Sequence, residues 1–134
     1  MNNIANKKEK ENFSIVKRAK SFAHAFRGLK IFIATTHNAR IQLVIALIVL
    51  AAGIYFHINI TEWLAIIIVI GLVLLSETFN TAIEIDIDLT SPDFHPYAKD
   101  TKDVAAAAVL LASLTALIVG LVIFIPKILA LLTN

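Results

Sequence analysis

Four stretches of the chain differ in how apolar and polar positions alternate, and each predicts a helix. Between residues 13 and 36, apolar positions recur at spacings of three, four and seven among interspersed Lys and Arg. This pattern predicts an amphipathic helix in the membrane interface, with a helix of a soluble bundle as the alternative. Residues 41–61 contain no Asp, Glu, Lys or Arg, over about the ~20 residues that a spanning helix needs. Residues 63–89 and 102–126 predict a second and a third span.

The predicted architecture is an all-α membrane protein with one N-terminal surface helix and three transmembrane helices. A polar tail over residues 1–12 is expected to be disordered, and residues 13–134 are expected to form a single domain. Residues 90–101 are predicted to form a polar loop, since Pro92 disfavours continuation of the second helix. Pro126 is expected to close the third span.

The second span carries a stripe of polar residues that an ordinary lipid-facing helix would not tolerate. Glu77, Asn80, Glu84 and Asp88 lie 0, 3, 7 and 11 residues along the chain from Glu77. At about 100° per residue they fall at roughly 0°, 300°, 340° and 20°, on one narrow face. Because ionisable groups in a span are costly and usually functional, this face is expected to meet a polar site or other helices.

Composition and charge agree with an integral membrane protein. The chain has 134 residues, of which 58% are hydrophobic and 16% charged. Nine of the twelve Lys and Arg residues precede residue 41, which predicts a cytoplasmic N-terminus and, with three spans, an outside C-terminus. These basic residues could attract anionic lipids or a nucleotide, whereas the few aromatic residues argue against nucleic-acid binding. With no Cys, disulfides and thiolate metal sites are excluded.

The polar groups at the cytoplasmic face suit Mg²⁺ and phosphate chemistry. Lys102 and Asp103 begin the third span, just across the loop from the carboxylates of the stripe. Mg²⁺ binds through one or two carboxylates plus substrate phosphates, and a lysine can neutralise a transferring phosphoryl group. No phosphate loop, protein-kinase signature, HExxH or GxSxG motif occurs.

Other interpretations of the same residues stay open. The acids could hold helices together or line a cation channel, and Asp103 could simply cap a helix. A lipid phosphatase is less favoured, because no His or Arg cluster is available for a phospho-enzyme. The alanines at 105–108 suit close helix packing, or they could leave room for a substrate at Ala106 beside Glu77.

These motifs resemble those of the prokaryotic diacylglycerol kinase family, which includes the undecaprenol kinases. The run E-T-F-N-T-A-I-E at residues 77–84, followed by Asp88, is similar to the family signature. The run K-D-V-A-A-A-A-V-L at residues 102–110 resembles its third span. The run S-P-D-F-H-P at residues 91–96 looks more like the undecaprenol-kinase branch. The likeness covers roughly residues 13–127.

The resemblance implies a lipid kinase of the inner membrane that uses ATP and Mg²⁺ to phosphorylate a lipid alcohol, either diacylglycerol or undecaprenol. It implies a homotrimer with shared active sites at the cytoplasmic face. A non-catalytic family member that acts as a scaffold or small channel is the alternative.

Several residue roles follow from the resemblance alone. Glu77 would be the general base, with Asn80 supporting it. Glu84 would hold Mg²⁺ together with the ATP phosphates, which Lys102 and Asp103 would contact. Further nucleotide contacts would come from Lys17, Asp93, Phe94 and His95.

The chain departs from the family pattern at one position. The family usually has a glutamate, a second metal ligand, four residues before the position of Arg40, and this chain has Thr36 there. Since threonine supplies no carboxylate, water, Asp88 or a neighbouring subunit would have to complete the metal site.

Overall fold

The computed structural model describes residues 15–133, and the regular elements of that part are all α-helices. They are α1 (Ile15–Thr35), α2 (His37–Tyr55), α3 (Ile60–Thr90) and α4 (Pro96–Leu132). By length and composition, α2, α3 and α4 could each cross a membrane, which confirms the prediction of an all-α fold with three spans. The tail over residues 1–12 and the expected helix start at residue 13 lie outside the described residues.

The described part of the chain divides into two compact units, and the division lies between Ile31 and Phe32. Within the first unit, α1 has the amphipathic composition that the sequence pattern indicates, and its large apolar side chains, such as Phe22 and Phe26, are exposed. Such a helix suits a membrane surface, and its place in the interface remains a prediction.

The turn between α2 and α3 is earlier in the sequence than predicted. The first span was expected to reach residue 61, but α2 ends at Tyr55 and α3 begins at Ile60. The reason is a capping box: the Asn59 side chain accepts bonds from the backbone N–H groups of Thr61 and Glu62, and Glu62 accepts one from the Asn59 N–H at 2.8 Å.

The fourth helix is longer than the predicted third span at both ends. The loop expected over residues 90–101 is confined to residues 91–95, because α4 already begins at Pro96. Proline is well suited to the first helical position, where its missing N–H leaves no bond unmade. The expected end at Pro126 is also wrong, since α4 continues to Leu132. Proline is tolerated inside spanning helices.

Helix α3 is central in the second unit, with α4 packed antiparallel along it and α2 packed more sparsely. Ion pairs fix the register at both ends of the α3–α4 pair: Lys102 with Asp88, and Lys127 with Glu62 at 3.1 Å. This register places residues 112 and 113 opposite Glu77. The hydrophobic core contains Ile58, Ile66 and Ile123.

Candidate active site

The polar stripe of α3 forms one wall of a cavity of about 310 Å³. Glu77, Asn80, Glu84 and Asp88 all line this polar cavity, so the face that their spacing predicts is a real surface feature. The stripe runs from buried to exposed: Glu77 is 1% exposed and Asn80 6%, whereas Asp88 is exposed. The other lining residues are Thr35, Thr36, His37, Asn38, Thr81 and Ile85.

Glu77 lies at the buried end of the polar cavity and is held from α2. Gln42 Nε2 donates a hydrogen bond to Glu77 Oε2 at 3.0 Å. Among the described residues, no donor reaches Glu77 Oε1 or Gln42 Oε1, although both atoms are buried. A buried oxygen without a donor is costly, so Glu77 presents an acceptor that a substrate hydroxyl could satisfy.

One helical turn further along, Asn80 is linked to Glu84. Asn80 Nδ2 donates to Glu84 Oε1 at 3.0 Å, an i to i+4 pair that the helix geometry brings together. Asn80 Oδ1 is buried and has no donor within the described part of the chain. The Glu84 carboxylate is therefore oriented through one of its oxygens, and the amide oxygen of Asn80 beside it has no donor among the described residues.

Thr36 closes the cavity on the side where the family pattern has a carboxylate. Its Oγ1 lies 3.0 Å from Thr81 Oγ1, and Thr81 donates its own proton to the Glu77 carbonyl at 2.9 Å. Because a hydroxyl has one proton to give, Thr36 is the donor to Thr81. Arg40 stabilises the junction between α1 and α2, because its guanidinium group donates hydrogen bonds to the Ile33 and Ala34 carbonyls at the end of α1.

An apolar groove of about 450 Å³ lies between α2, α3 and α4. Gln42 lines this groove, and its partner Glu77 lines the polar cavity. The hydrogen bond between Gln42 and Glu77 therefore links the apolar groove to the polar cavity. An amphiphile with a hydroxyl head would find both environments within reach of one carboxylate.

Comparison with known proteins decides which family this arrangement belongs to. A sequence profile described as "Prokaryotic diacylglycerol kinase" matches residues 23–124. The chain belongs to the prokaryotic diacylglycerol kinase family. As a member of that family it is a membrane lipid kinase, in agreement with the resemblance found in the sequence.

Individual relatives give the same result. The chain is 41% identical over 108 residues to the undecaprenol kinase of Bacillus subtilis (strain 168), covering 81% of this chain and 88% of the relative. It is 36% identical over 113 residues to a diacylglycerol kinase of Synechocystis, covering 84% of this chain and 65% of the relative. A Helicobacter pylori (strain J99) diacylglycerol kinase is 31% identical over 107 residues, covering 75% and 84% respectively.

The residues that the family resemblance assigns to the nucleotide do not all gather at the polar cavity. Lys102 bonds to Asp88 at the mouth, while Asp103 bonds to Lys99 Nζ at 3.0 Å on the exposed side of α4. The loop residues Asp93, Phe94 and His95 are exposed and do not line the cavity. Lys17 belongs to the other compact unit, and its contact with the nucleotide stays a prediction.

Ala106 is not brought beside Glu77 within the chain. It is exposed, and the α3–α4 register places it near residue 84, about two turns from Glu77. Ala112, which is buried, occupies the level of Glu77 instead. Which alanine lies opposite Glu77 depends on the packing register of α3 and α4. The sequence pattern alone does not give this register, so the expectation for Ala106 was wrong within a single chain.

Sequence reasoning missed the residues of the site that come from other helices or lack a charge. Gln42, Thr81, His37 and Asn38 were not singled out, yet all four lie at the cavity or bond to its base. A signal was present for Gln42, because it is a strongly polar residue in a stretch without charges. Its partner could not be named from the sequence, since the pairing depends on how α2 and α3 pack.

Proposed function

We propose that this lipid kinase transfers the γ-phosphoryl group of ATP to the hydroxyl of a lipid alcohol at the cytoplasmic membrane face. The observation that carries the proposal is the buried Glu77 carboxylate, which is anchored at one oxygen and lacks a donor at the other among the described residues. Glu77 is the general base, because it lies where a lipid hydroxyl can meet a polar cavity.

The reaction balances with few protein groups. Glu77 Oε1 accepts the hydroxyl proton while the lipid oxygen forms a bond to the γ-phosphorus. The bond from that phosphorus to the bridging oxygen breaks, and ADP leaves. Asn80 helps to orient the site through its bond to Glu84. Since phosphoryl transfer needs mainly positioning and charge stabilisation, few protein groups need to take part in the covalent chemistry.

The donor set of the cavity fits Mg²⁺ bound together with nucleotide phosphates. No group of three or more His, Asp or Glu residues within residues 15–133 could hold a metal by itself, which is usual for Mg²⁺ shared with a substrate. Glu84 would hold the ion, since Asp88 is occupied by Lys102 and Thr36 has no carboxylate. Bound there, Mg²⁺ would neutralise charge on the phosphates.

The apolar groove could hold the tail of the lipid, and Gln42, which lines the groove, is hydrogen-bonded to Glu77. The two substrate candidates, diacylglycerol and undecaprenol, both present one primary hydroxyl. We favour undecaprenol, because the chain is 41% identical to the Bacillus subtilis undecaprenol kinase and 36% identical to the Synechocystis diacylglycerol kinase. The segment at residues 91–96 points the same way.

We further infer a homotrimer in the inner membrane, with a cytoplasmic N-terminus and an outside C-terminus. The distribution of basic residues supports this orientation. Many apolar side chains on α2, α3 and α4 are exposed in a single chain, which suits contact with lipid and with other subunits. The residues expected at the nucleotide, among them Asp93 and His95, are also exposed and could complete the site of a neighbouring subunit.

The test is the substitution Glu77→Gln, with phosphorylation of the lipid as the measurement. The amide oxygen of the introduced glutamine can still accept the bond from Gln42, so the fold is expected to persist while the base is lost. The rate should fall by about 10²- to 10⁴-fold. Asp86→Asn is the matched control, because it removes the charge of an exposed carboxylate on the same helix that does not line the cavity. Retained activity in Glu77→Gln would refute the assignment of the base.

A further inference from the structure

We propose that Gln42 is a positioning residue for catalysis, which anchors the general base from α2 and keeps one of its oxygens free for the lipid hydroxyl. This inference rests on the proposed function of Glu77. It adds a residue outside the α3 stripe and assigns it a task that is distinct from binding either substrate.

The first argument is the contact itself. Gln42 Nε2 lies 3.0 Å from Glu77 Oε2, and the Glu77 side chain is 1% exposed, so water cannot readily replace this donor. Thr81 bonds to the backbone carbonyl of Glu77 and leaves the carboxylate untouched. On the opposite side, the register of α4 brings Ala112 and Ser113 to the level of Glu77, and among the described residues neither donates to its carboxylate.

The second argument is the rotational freedom of a glutamate side chain. The terminal torsion of Glu has broad, weakly separated minima, so a carboxylate without a partner could turn either oxygen towards the substrate or neither. A hydrogen bond to a charged acceptor is stronger than a neutral one and fixes the plane of the group. With Oε2 held, Oε1 remains without a donor among the described residues and is available to the hydroxyl.

The third argument is that the anchoring bond survives the proton transfer. When Glu77 Oε1 has taken the hydroxyl proton, Oε2 remains an acceptor and keeps the bond from Gln42 Nε2, because a protonated carboxyl group retains acceptor capacity. Gln42 Oε1 is buried and lacks a donor in the part of the chain that the structure describes, so no bond to that oxygen turns the amide away from Glu77. A glutamine thus serves the base in both of its protonation states, which an apolar residue of the same size cannot do.

The test compares Gln42→Met with Gln42→His in purified, lipid-embedded protein. Methionine keeps the length of glutamine but has no donor, whereas histidine retains a ring N–H at a similar reach. We expect Gln42→Met to lower kcat by about 10- to 100-fold, as misplacement of a reacting group does, with the KM values for ATP and lipid changed little. Gln42→His should recover most of kcat. Thr115→Val, a polar-to-apolar change on the exposed side of α4, should behave like the parent protein.

The outcomes separate this inference from the proposed function, because Glu77→Gln is measured alongside. If Glu77→Gln is inactive and Gln42→Met keeps its kcat, the positioning role is wrong and the base assignment stands. A rise in lipid KM alone would also overturn it, since Gln42 would then be a binding residue. Gln42→His no better than Gln42→Met would do the same. If Glu77→Gln is fully active, the proposed base fails and this inference fails with it.

Discussion

The ion pair between Asp88 and Lys102 allows a structural role to be separated from a catalytic one. Lys102 Nζ bonds to Asp88 Oδ1 and so ties the last turns of α3 to the start of α4. The side chains are 67% exposed for Asp88 and 35% for Lys102. A pair this open to solvent is worth at most about 1 kcal/mol. Asp88→Asn and Lys102→Gln each break it, so both should lower stability by the same small amount.

The two substitutions should differ in activity. In the proposed site Lys102 also contacts the nucleotide phosphates, and a hydrogen bond to a charged group contributes about 1.5–3 kcal/mol. Since about 1.4 kcal/mol is a factor of ten, Lys102→Gln should lower kcat/KM for ATP by about 10- to 150-fold. Asp88→Asn frees Lys102 and should leave kcat/KM unchanged or slightly raised.

The assay measures initial rates against ATP concentration for both variants, together with thermal inactivation in the same detergent or lipid. Equal stability losses establish that both variants break the same pair. If Lys102→Gln then matches Asp88→Asn in kcat/KM, Lys102 serves only to hold α4 against α3, and its assignment to the nucleotide is refuted.

Two further predictions concern packing and the metal site. A Cβ on Gly53 would lie 2.9 Å from the Trp63 ring, so Gly53→Ala should be less stable than Gly71→Ala, which meets nothing within 4 Å. Both substitutions gain the higher helix propensity of alanine, so this term cancels in the comparison. The remaining difference in the free energy of unfolding is the overpacking cost at Gly53, about 1–3 kcal/mol, which thermal inactivation would detect. Thr36→Glu adds a carboxylate to the cavity of Glu84 and should lower the Mg²⁺ concentration for half-maximal activity severalfold. Equal stability of the two alanine variants, or an unaltered Mg²⁺ dependence, would contradict these expectations.

The spans and the polar stripe could be predicted because each depends on local pattern. An uncharged run of sufficient length predicts a spanning helix, and a spacing of 3, 7 and 11 residues predicts a shared helix face. The polar cavity, lined by all four stripe residues from Glu77 to Asp88, shows that this second inference was correct. These conclusions required no knowledge of neighbouring helices.

The helix ends were harder to predict, because single side chains decide them. Residues 56–61 contain no Asp, Glu, Lys or Arg, so the uncharged run continues through them, but the capping box of Asn59 and Glu62 starts a new helix there. Two prolines acted in opposite ways: Pro96 begins α4, and Pro126 lies within it. A proline signals a boundary only on average, since spanning helices often accommodate one.

Pairings between helices could not be obtained from the sequence. The bonds of Gln42 to Glu77 and of Lys102 to Asp88 depend on the packing register of α2 and α4 against α3. The same register moves Ala106 away from Glu77. The partner of Thr36 is likewise a residue of another helix, Thr81. The site therefore emerged only when the three-dimensional arrangement of the helices was known.

The most direct test of the central claim uses the purified protein in lipid with Mg²⁺ and γ-labelled ATP, offered diacylglycerol and undecaprenol side by side. The account predicts that label appears in a lipid phosphate, with undecaprenol preferred. Label in phosphatidic acid alone would contradict the substrate preference and leave the kinase mechanism intact. Absence of label from both lipids, in a folded protein, would contradict the account.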